Sequence, residues 1–193
     1  LNKASELFLQ FGFKSVTMDD IARELGMSKK TIYSHYATKL KLVEECVMYM
    51  FDKINNGMCS VCSGLNNPIQ EILQIDSFVR QQLKGMKTSP EYQLQKYYPR
   101  IFKSLSVKKF ETVRDFINEN LTRGVEQGLY RADLDIVLIS RFYINGIMGL
   151  SNPSLYPPEQ YDIQQMKSAF LEYHLRAIVT EKGLKTLLKI INK

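Results

Sequence analysis

The chain has 193 residues, 45% of them hydrophobic, which is enough to bury a substantial core. No apolar run approaches the roughly eighteen residues of a membrane span and no signal-peptide pattern opens the chain, so we expect a cytoplasmic protein. Its 26 Lys and Arg residues exceed the 20 Asp and Glu residues, a basic excess that is compatible with a nucleic-acid partner but is weak evidence by itself.

Residues 16–42 carry the pattern of two short helices joined by a tight turn. Thr17 is suited to cap a helix from Met18 to Leu25, and two acids follow it, where they favour the positive end of the helix dipole. Gly26 can adopt the left-handed backbone conformation that ends this helix and turns the chain. The spacing therefore predicts a helix-turn-helix.

The second predicted helix runs from its cap at Ser28 to about Tyr36, with Ile32 turned inward. The side chains that remain free to face a ligand are Lys29, Lys30, Thr31, Tyr33 and His35. From Ser28 to Lys41 the chain holds four lysines and no acid, and a phosphate backbone would favour that surface. A solvated charged face would explain the lysines alone, but the glycine turn, serine cap and lysines stand in the register of a DNA-binding motif.

Thr38 marks the start of a third capped helix, and helical periodicity continues to the end of the chain. The prolines fall where the helical pattern restarts. We predict helices over 39–62, 68–86, 90–104 with a break near Pro99, 107–127, 134–151, 159–181 and 184–192. With the three N-terminal helices, the predicted fold class is all-α with about ten helices.

The segment from Gly12 to Leu42, GFKSVTMDDIARELGMSKKTIYSHYATKLKL, resembles the N-terminal domain of the TetR (tetracycline-repressor-like) family of transcriptional regulators. It follows that family's D-I-A, G-x-S-K-x-T-x-Y and Lys-x-x-Leu elements nearly position by position. GLYRADLD, from Gly128 to Asp135, resembles another recurrent family segment. The resemblance implies a helix-turn-helix DNA-binding domain over residues 1–46 and a helical effector-binding and dimerisation domain over 47–193.

Carried over by position, the resemblance also implies two kinds of contact with double-stranded DNA. Base edges in the major groove would be approached by Lys29, Lys30 and Thr31. Phosphates would be held by Thr17, Tyr33, His35 and Lys39, and Ser28 belongs to the same DNA-binding surface. Two positions have an alternative interpretation. Lys30 stands where relatives often carry a small residue, so it adds either a base contact or charge alone, and His35 can instead pack against the following helix.

Two late helices predict a homodimer, which a palindromic operator requires. The helix over 134–151 is apolar nearly all round, and Gly146 and Gly149 would let another helix approach closely. The helix over 159–181 carries two apolar stripes, one of Ile163, Met166, Phe170, Tyr173 and Ala177 and the other of Leu171, Leu175 and Ile178. One stripe can pack on its own subunit and the other on the partner; the alternative is a monomer with both stripes internal.

The resemblance further implies a pocket for a small-molecule effector among the middle helices. Bulky side chains that suit an apolar or aromatic ligand are Met48, Phe51, Met58, Phe78, Tyr97, Tyr98, Phe102, Val113, Ile117, Phe142 and Tyr143. For any single one of these residues ordinary core packing is the favoured explanation, because aromatic stripes at helical spacing fill cores first. The helix over 39–62 would link Lys39 to such a pocket.

Other functions have less support. Cys59 and Cys62 form a single C-x-x-C at the tail of a helix, without the second pair of a zinc site, so we expect packed thiols and no metal. No hydrolase, phosphate-loop or dinucleotide motif occurs, and we expect neither an enzyme nor a cofactor. The sequence predicts a DNA-binding transcriptional regulator, and the family resemblance implies a repressor released by an apolar or aromatic ligand. The alternative is a ligand-independent regulator controlled by a protein partner.

Overall fold

The computed structural model describes residues 1–83, 90–152, 154–157 and 159–192. In these ranges it contains ten α-helices and no strand, which confirms the all-α prediction. The helices are α1 Asn2–Phe11, α2 Met18–Leu25, α3 Lys29–His35, α4 Lys39–Cys62, α5 Pro68–Leu83, α6 Pro90–Tyr97, α7 Pro99–Glu126, α8 Ile136–Gly149, α9 Ile163–Ile178 and α10 Glu181–Ile191. None of these described helices has the length and apolar character needed to cross a bilayer.

One predicted helix boundary is wrong. The break placed between residues 104 and 107 does not exist, because α7 runs without interruption from Pro99 to Glu126. Ser104 and Ser106 lie inside this helix, and their hydroxyls donate to the carbonyls four residues earlier, at 3.3 and 2.8 Å. Hydroxyls satisfied in this way do not need to cap a new helix. The break near Pro99 is confirmed, since α6 ends at Tyr97.

Other boundaries shift by a few residues: the helices predicted over 134–151 and 159–181 extend over Ile136–Gly149 and Ile163–Ile178. The last helix begins at Glu181 and not at residue 184, because Thr180 caps it by accepting a hydrogen bond from the Gly183 amide at 3.1 Å. The predicted end of the fifth helix, residues 84–86, lies outside the described residues.

A first compact unit comprises Leu1–Gly57 together with Leu83–Val107. It contains α1 to α3, most of α4, α6 and the start of α7. Its apolar core consists of Ala4, Phe8, Phe13, Val16, Met18, Ile21, Ala22, Ile32, Leu42, Val43, Cys46, Val47, Leu94 and Ile101. The predicted DNA-binding domain lies inside this unit, and the boundary at residue 46 remains a prediction.

A second compact unit comprises Met58–Gln82 together with Lys108–Lys193. Its buried apolar residues are Ile69, Ile72, Ile117, Leu121, Leu129, Tyr130, Tyr143, Ile144, Leu171, Leu175, Ile178 and Leu187. A polar group is buried among them: Asn120 donates to Glu71 at 2.7 Å and accepts from the Tyr130 hydroxyl at 3.0 Å, and Arg123 pairs with Glu71. The carboxylate is therefore neutralised and hydrogen-bonded, as burial of a charge requires.

The outward faces of α8 and α9 in the second unit carry exposed apolar side chains. On α8, Val137, Leu138 and Phe142 are 60%, 45% and 59% exposed, and on α9 Tyr173 is 71% exposed. The other predicted stripe of α9, with Leu171 and Leu175, is buried in the core of the unit. One stripe of α9 thus packs internally, as predicted, while α8 and α9 keep an apolar surface.

The two α8 glycines differ in their surroundings. A Cβ atom on Gly146 would lie 2.1 Å from the ring of Phe170, so this glycine allows α9 of the same chain to approach closely. At Gly149 nothing lies within 4 Å of the Cβ position, and the space beside it is open.

Candidate nucleic-acid interface

α2 begins with a reciprocal cap. The Thr17 amide and hydroxyl both donate to Asp20 Oδ2, at 2.9 and 2.7 Å, and the Asp20 amide donates back to Thr17 Oγ1 at 3.1 Å. These hydrogen bonds lower the pKa of Asp20. Since the single hydroxyl proton of Thr17 is already donated, the residue can donate to a phosphate only by turning away from Asp20.

The turn between α2 and α3 is set by a glycine and a serine. Gly26 has φ +62°, the left-handed conformation, and its amide bonds to carbonyls of the last turn of α2. Ser28 Oγ accepts from the Thr31 amide at 3.1 Å and shares a 2.8 Å hydrogen bond with the Thr31 hydroxyl. Buried Ile32 fixes α3 to the core. The side of α3 that the sequence predicted to meet DNA is therefore solvent-accessible, with Lys29, Lys30, Tyr33 and His35 exposed and Thr31 half-buried.

The four lysines of this region differ in their partners. Lys29 Nζ pairs with Asp19 Oδ2 at 2.9 Å, and Lys41 pairs with Glu44 and Glu45 at 2.9 and 3.2 Å. Lys30 is exposed and forms no ion pair within the part of the chain that the structure describes. The sequence could not reveal the Lys29 pair, because its two members stand on different helices.

Lys39 is the first residue of α4, and its side chain bonds to the turn between α1 and α2. Its ammonium donates to the carbonyl oxygen of Lys14 at 3.0 Å. Partial burial lowers the pKa of Lys39, and the Asp20 carboxylate opposes that shift. The Thr38 hydroxyl accepts from the Lys41 amide at 3.1 Å, so the predicted cap is present at the start of α4.

His35 is exposed, and its ring centroid lies 6.5 Å from that of Tyr36 at a tilted angle. The residue also lines a cavity of about 360 Å³ within the first unit, together with Ile21, Ile32 and Leu42. Its exposure is compatible with a phosphate contact, and its neighbours are compatible with the packing alternative.

The sequence missed the attachment of α6 to the α1–α2 turn. The Phe13 amide donates to Gln93 Oε1 at 2.8 Å, and the Tyr98 hydroxyl donates to the Phe13 carbonyl at 3.2 Å. Leu94 of α6 is buried in the same core. A Cβ on Gly12, whose φ is +91°, would lie 2.6 Å from Gln93 Oε1. The two hydrogen bonds join residues that are separated by 80 and 85 positions in the sequence, so no local pattern could indicate them.

The residues predicted to line an effector pocket are divided between the units. Met48, Phe51, Tyr97, Tyr98 and Phe102 belong to the first, and Met58, Phe78, Val113, Ile117, Phe142 and Tyr143 to the second. Ile117 and Tyr143 are buried in the second core. Tyr97 and Phe142 lie at the surfaces of their own units, 38% and 59% exposed. The pocket remains a prediction.

The cysteines have three different environments. Cys46 is buried in the first core, Cys59 is exposed and Cys62 is half-buried. The expectation of packed thiols is therefore wrong for Cys59. Burial raises the pKa of Cys62 to about 11, which keeps its thiol protonated at neutral pH.

Comparison with known proteins gives agreement at the level of sequence and of fold. Residues 1–46 match the model of the bacterial regulatory proteins of the tetR family. The HTH-type transcriptional repressor KstR2 of Mycobacterium tuberculosis is 24% identical over 147 residues, 74% of this chain and 72% of KstR2. IcaR of Staphylococcus aureus, the negative transcriptional regulator of the biofilm operon icaADBC, is 34% identical over 56 residues, 29% of this chain and 30% of IcaR.

Two solved structures extend the agreement beyond the first unit. KstR2, described as a ketosteroid transcriptional regulator, superposes with a TM-score of 0.61 at 22% identity, over 93% of both chains. A TetR transcription regulator from Haloarcula marismortui superposes with a TM-score of 0.76 at 16% identity, over 93% of this chain and 95% of that one. At these identities the superpositions show a common fold.

Proposed function

We propose that the chain is a DNA-binding transcriptional regulator of the TetR family and acts as a cytoplasmic homodimeric repressor of a palindromic operator, released by a small, largely apolar or aromatic ligand. The match of residues 1–46 to the tetR family model and the similarity to KstR2 support this proposal. The observation that carries the proposal is the capped, exposed α3, which presents Lys30 without an acidic partner in the described residues. A helix held this way by its inward face can enter a major groove without disturbing the core.

The DNA contacts divide by chemistry. Lys29, Lys30 and Thr31 approach base edges, where lysine prefers guanine and a hydroxyl accepts several partners. Thr17, Tyr33, His35 and Lys39 fix the register through phosphates, and Ser28 belongs to the same DNA-binding surface. Lys29 and Thr17 exchange intramolecular partners for DNA when they bind, while Lys30 has no such pair to break.

The dimer forms through α8 and α9. Support comes from the exposed side chains Val137, Leu138, Phe142 and Tyr173, since contiguous apolar surface rimmed by polar residues is typical of an interface. The open space beside Gly149 leaves room for a partner helix. Two-fold pairing would present two copies of α3 to successive half-sites.

Release by a ligand follows if α4 acts as a lever. This helix of 24 residues is continuous and about 36 Å long, and it carries Lys39 in its first turn. A ligand that binds better to a tilted arrangement of α4 shifts the dimer to a half-site spacing that no longer matches the operator. The apolar ligand class is supported by the aromatic content of the chain and by the description of KstR2 as a ketosteroid regulator.

The test is selection of DNA from random-sequence duplexes with the full chain, followed by light scattering. We expect recovery of an inverted repeat and a particle of twice 22.4 kDa. A monomeric particle, or recovery of unrelated sequences only, would contradict the proposal. A ligand screen against the recovered site then separates release by a small molecule from control by a protein partner, because only the former predicts a compound that lowers DNA affinity.

A further inference from the structure

A group of lysines and tyrosines lies on the first unit, outside the helix-turn-helix. Lys14 of the α1–α2 turn places its Nζ 4.9 Å from the ring centroid of Tyr97 on α6. Lys96 places its Nζ 5.5 Å from the same ring and 5.6 Å from that of Tyr92. All four residues are exposed. We call Lys14, Tyr92, Lys96 and Tyr97 the lysine–tyrosine surface.

The surface carries two lysine charges. Lys14 and Lys96 form no ion pair among the described residues, in contrast to Lys29 with Asp19. A cation–π contact orients an ammonium group over a ring without cancelling its charge. Interaction with Tyr92 raises the pKa of Lys96, so the group stays protonated at neutral pH.

The surface continues from the predicted phosphate contacts. The Lys39 ammonium lies 3.0 Å from the Lys14 carbonyl, so Lys14 is the immediate neighbour of the lysine assigned to a phosphate. From there the Lys14 side chain extends to the ring of Tyr97, which the Lys96 ammonium also approaches. Lys39, Lys14 and Lys96 therefore form a series of cations along one unit.

The arrangement is also held in place. Gln93 and Tyr98, on either side of Lys96 and Tyr97 in sequence, bond to the amide and carbonyl of Phe13, which adjoins Lys14. Two lysine side chains that are positioned before binding lose less conformational entropy when they meet an anion. A series of fixed cations beside a phosphate-binding lysine matches a polymer of phosphates better than a single small anion.

We propose that the lysine–tyrosine surface binds the DNA phosphate backbone next to the phosphate held by Lys39, so that the DNA-binding surface extends from the helix-turn-helix onto α6. This inference rests on the proposed function. Tyr97, which the sequence assigned to the effector pocket, instead aligns two phosphate-binding lysines.

The test compares the double variant Lys14→Gln, Lys96→Gln with a matched control. The control Lys185→Gln, Lys189→Gln removes the same charge from exposed positions of α10 in the second unit. Binding to a 40-base-pair duplex carrying the selected site is measured by fluorescence anisotropy from 50 to 200 mM NaCl. Thermal melting followed by circular dichroism verifies that each variant is folded.

Four phosphate contacts are lost per dimer in the first variant, so the slope of log K against log salt should become shallower by about 3 to 4. The ratio of the DNA affinity of the parent protein to that of this variant should then fall by about 100-fold between 50 and 200 mM salt. The control should keep the parental slope, and Lys14→Arg, Lys96→Arg should restore it. A Gln variant with the parental slope, or one not rescued by arginine, would overturn the inference. Absence of binding by the parent protein would instead overturn the proposed function.

Discussion

The buried histidine of α9 makes the stability of the second unit depend on pH. His174 is 8% exposed, and its ring lies 4.8 Å from that of Tyr143 and 6.4 Å from that of Phe170, measured between centroids. Burial lowers the pKa of His174 from 6.5 to about 4. Below pH 6.5 the unfolded chain gains a proton that the folded chain does not accept until about pH 4. Unfolding is therefore favoured as pH falls through this window. Below it, the contribution of neutral His174 to the free energy of unfolding is lost completely.

The size of the effect follows from those two pKa values. Between pH 7 and pH 5 the free energy of unfolding should fall by about 2 kcal/mol through this residue, on the linkage relation of about 1.4 kcal/mol per pH unit. Because carboxylates titrate in the same range, the quantity to compare is the pH dependence of the parent protein and of His174→Leu.

Urea unfolding at pH 7 and pH 5, at one fixed protein concentration, measures this difference. The parent should lose about 2 kcal/mol more than His174→Leu. Equal pH dependence in the parent and His174→Leu would refute the reasoning. NMR titration of His174 provides a direct check, with its pKa expected at about 4.

The other predictions concern DNA contacts and helix packing. Lys39→Ala should weaken binding to all duplexes and lower the salt slope by about one per subunit in anisotropy titrations; a change in sequence preference alone would contradict our division of contacts. Thr31→Ala should alter the bases recovered in DNA selection while the salt slope stays unchanged, and an unchanged consensus would exclude a role in base readout. Gly146→Ala should cost about 1–3 kcal/mol in urea unfolding, because the new methyl would lie 2.1 Å from an α9 ring. Gly149→Ala, whose new methyl meets nothing within its own subunit, should cost less than Gly146→Ala, and equal losses in the two variants would contradict the packing described at Gly146.

The sequence predicts those parts of the fold that depend on neighbouring residues. Thr17, Gly26 and Ser28 define the ends of α2 and α3, because a cap or a left-handed glycine acts within three or four residues of itself. The prediction failed within α7, where Ser104 and Ser106 resemble a restart but bond back into the helix.

Fewer features of the candidate DNA-binding site than of the fold could be predicted from the sequence. The exposure of α3 follows from the position of Ile32 and was visible in the sequence. The pairing of Lys29 with Asp19 and the attachment of α6 to Phe13 depend on tertiary contacts, and so does the position of Tyr97 at the surface. An aromatic residue at helical spacing fits an interior, a pocket or an exposed face equally, so its periodicity alone cannot select among them.

The ion pair between α2 and α3 has a kinetic consequence. In the free protein the Asp19 carboxylate occupies the position of an anion beside Lys29, at 2.9 Å. If Lys29 contacts DNA as proposed, a passing duplex must first displace this carboxylate, which would weaken binding to random DNA and speed its release. Replacing Asp19 by asparagine would lengthen each visit to unrelated sequence and slow the search for the operator along a chromosome.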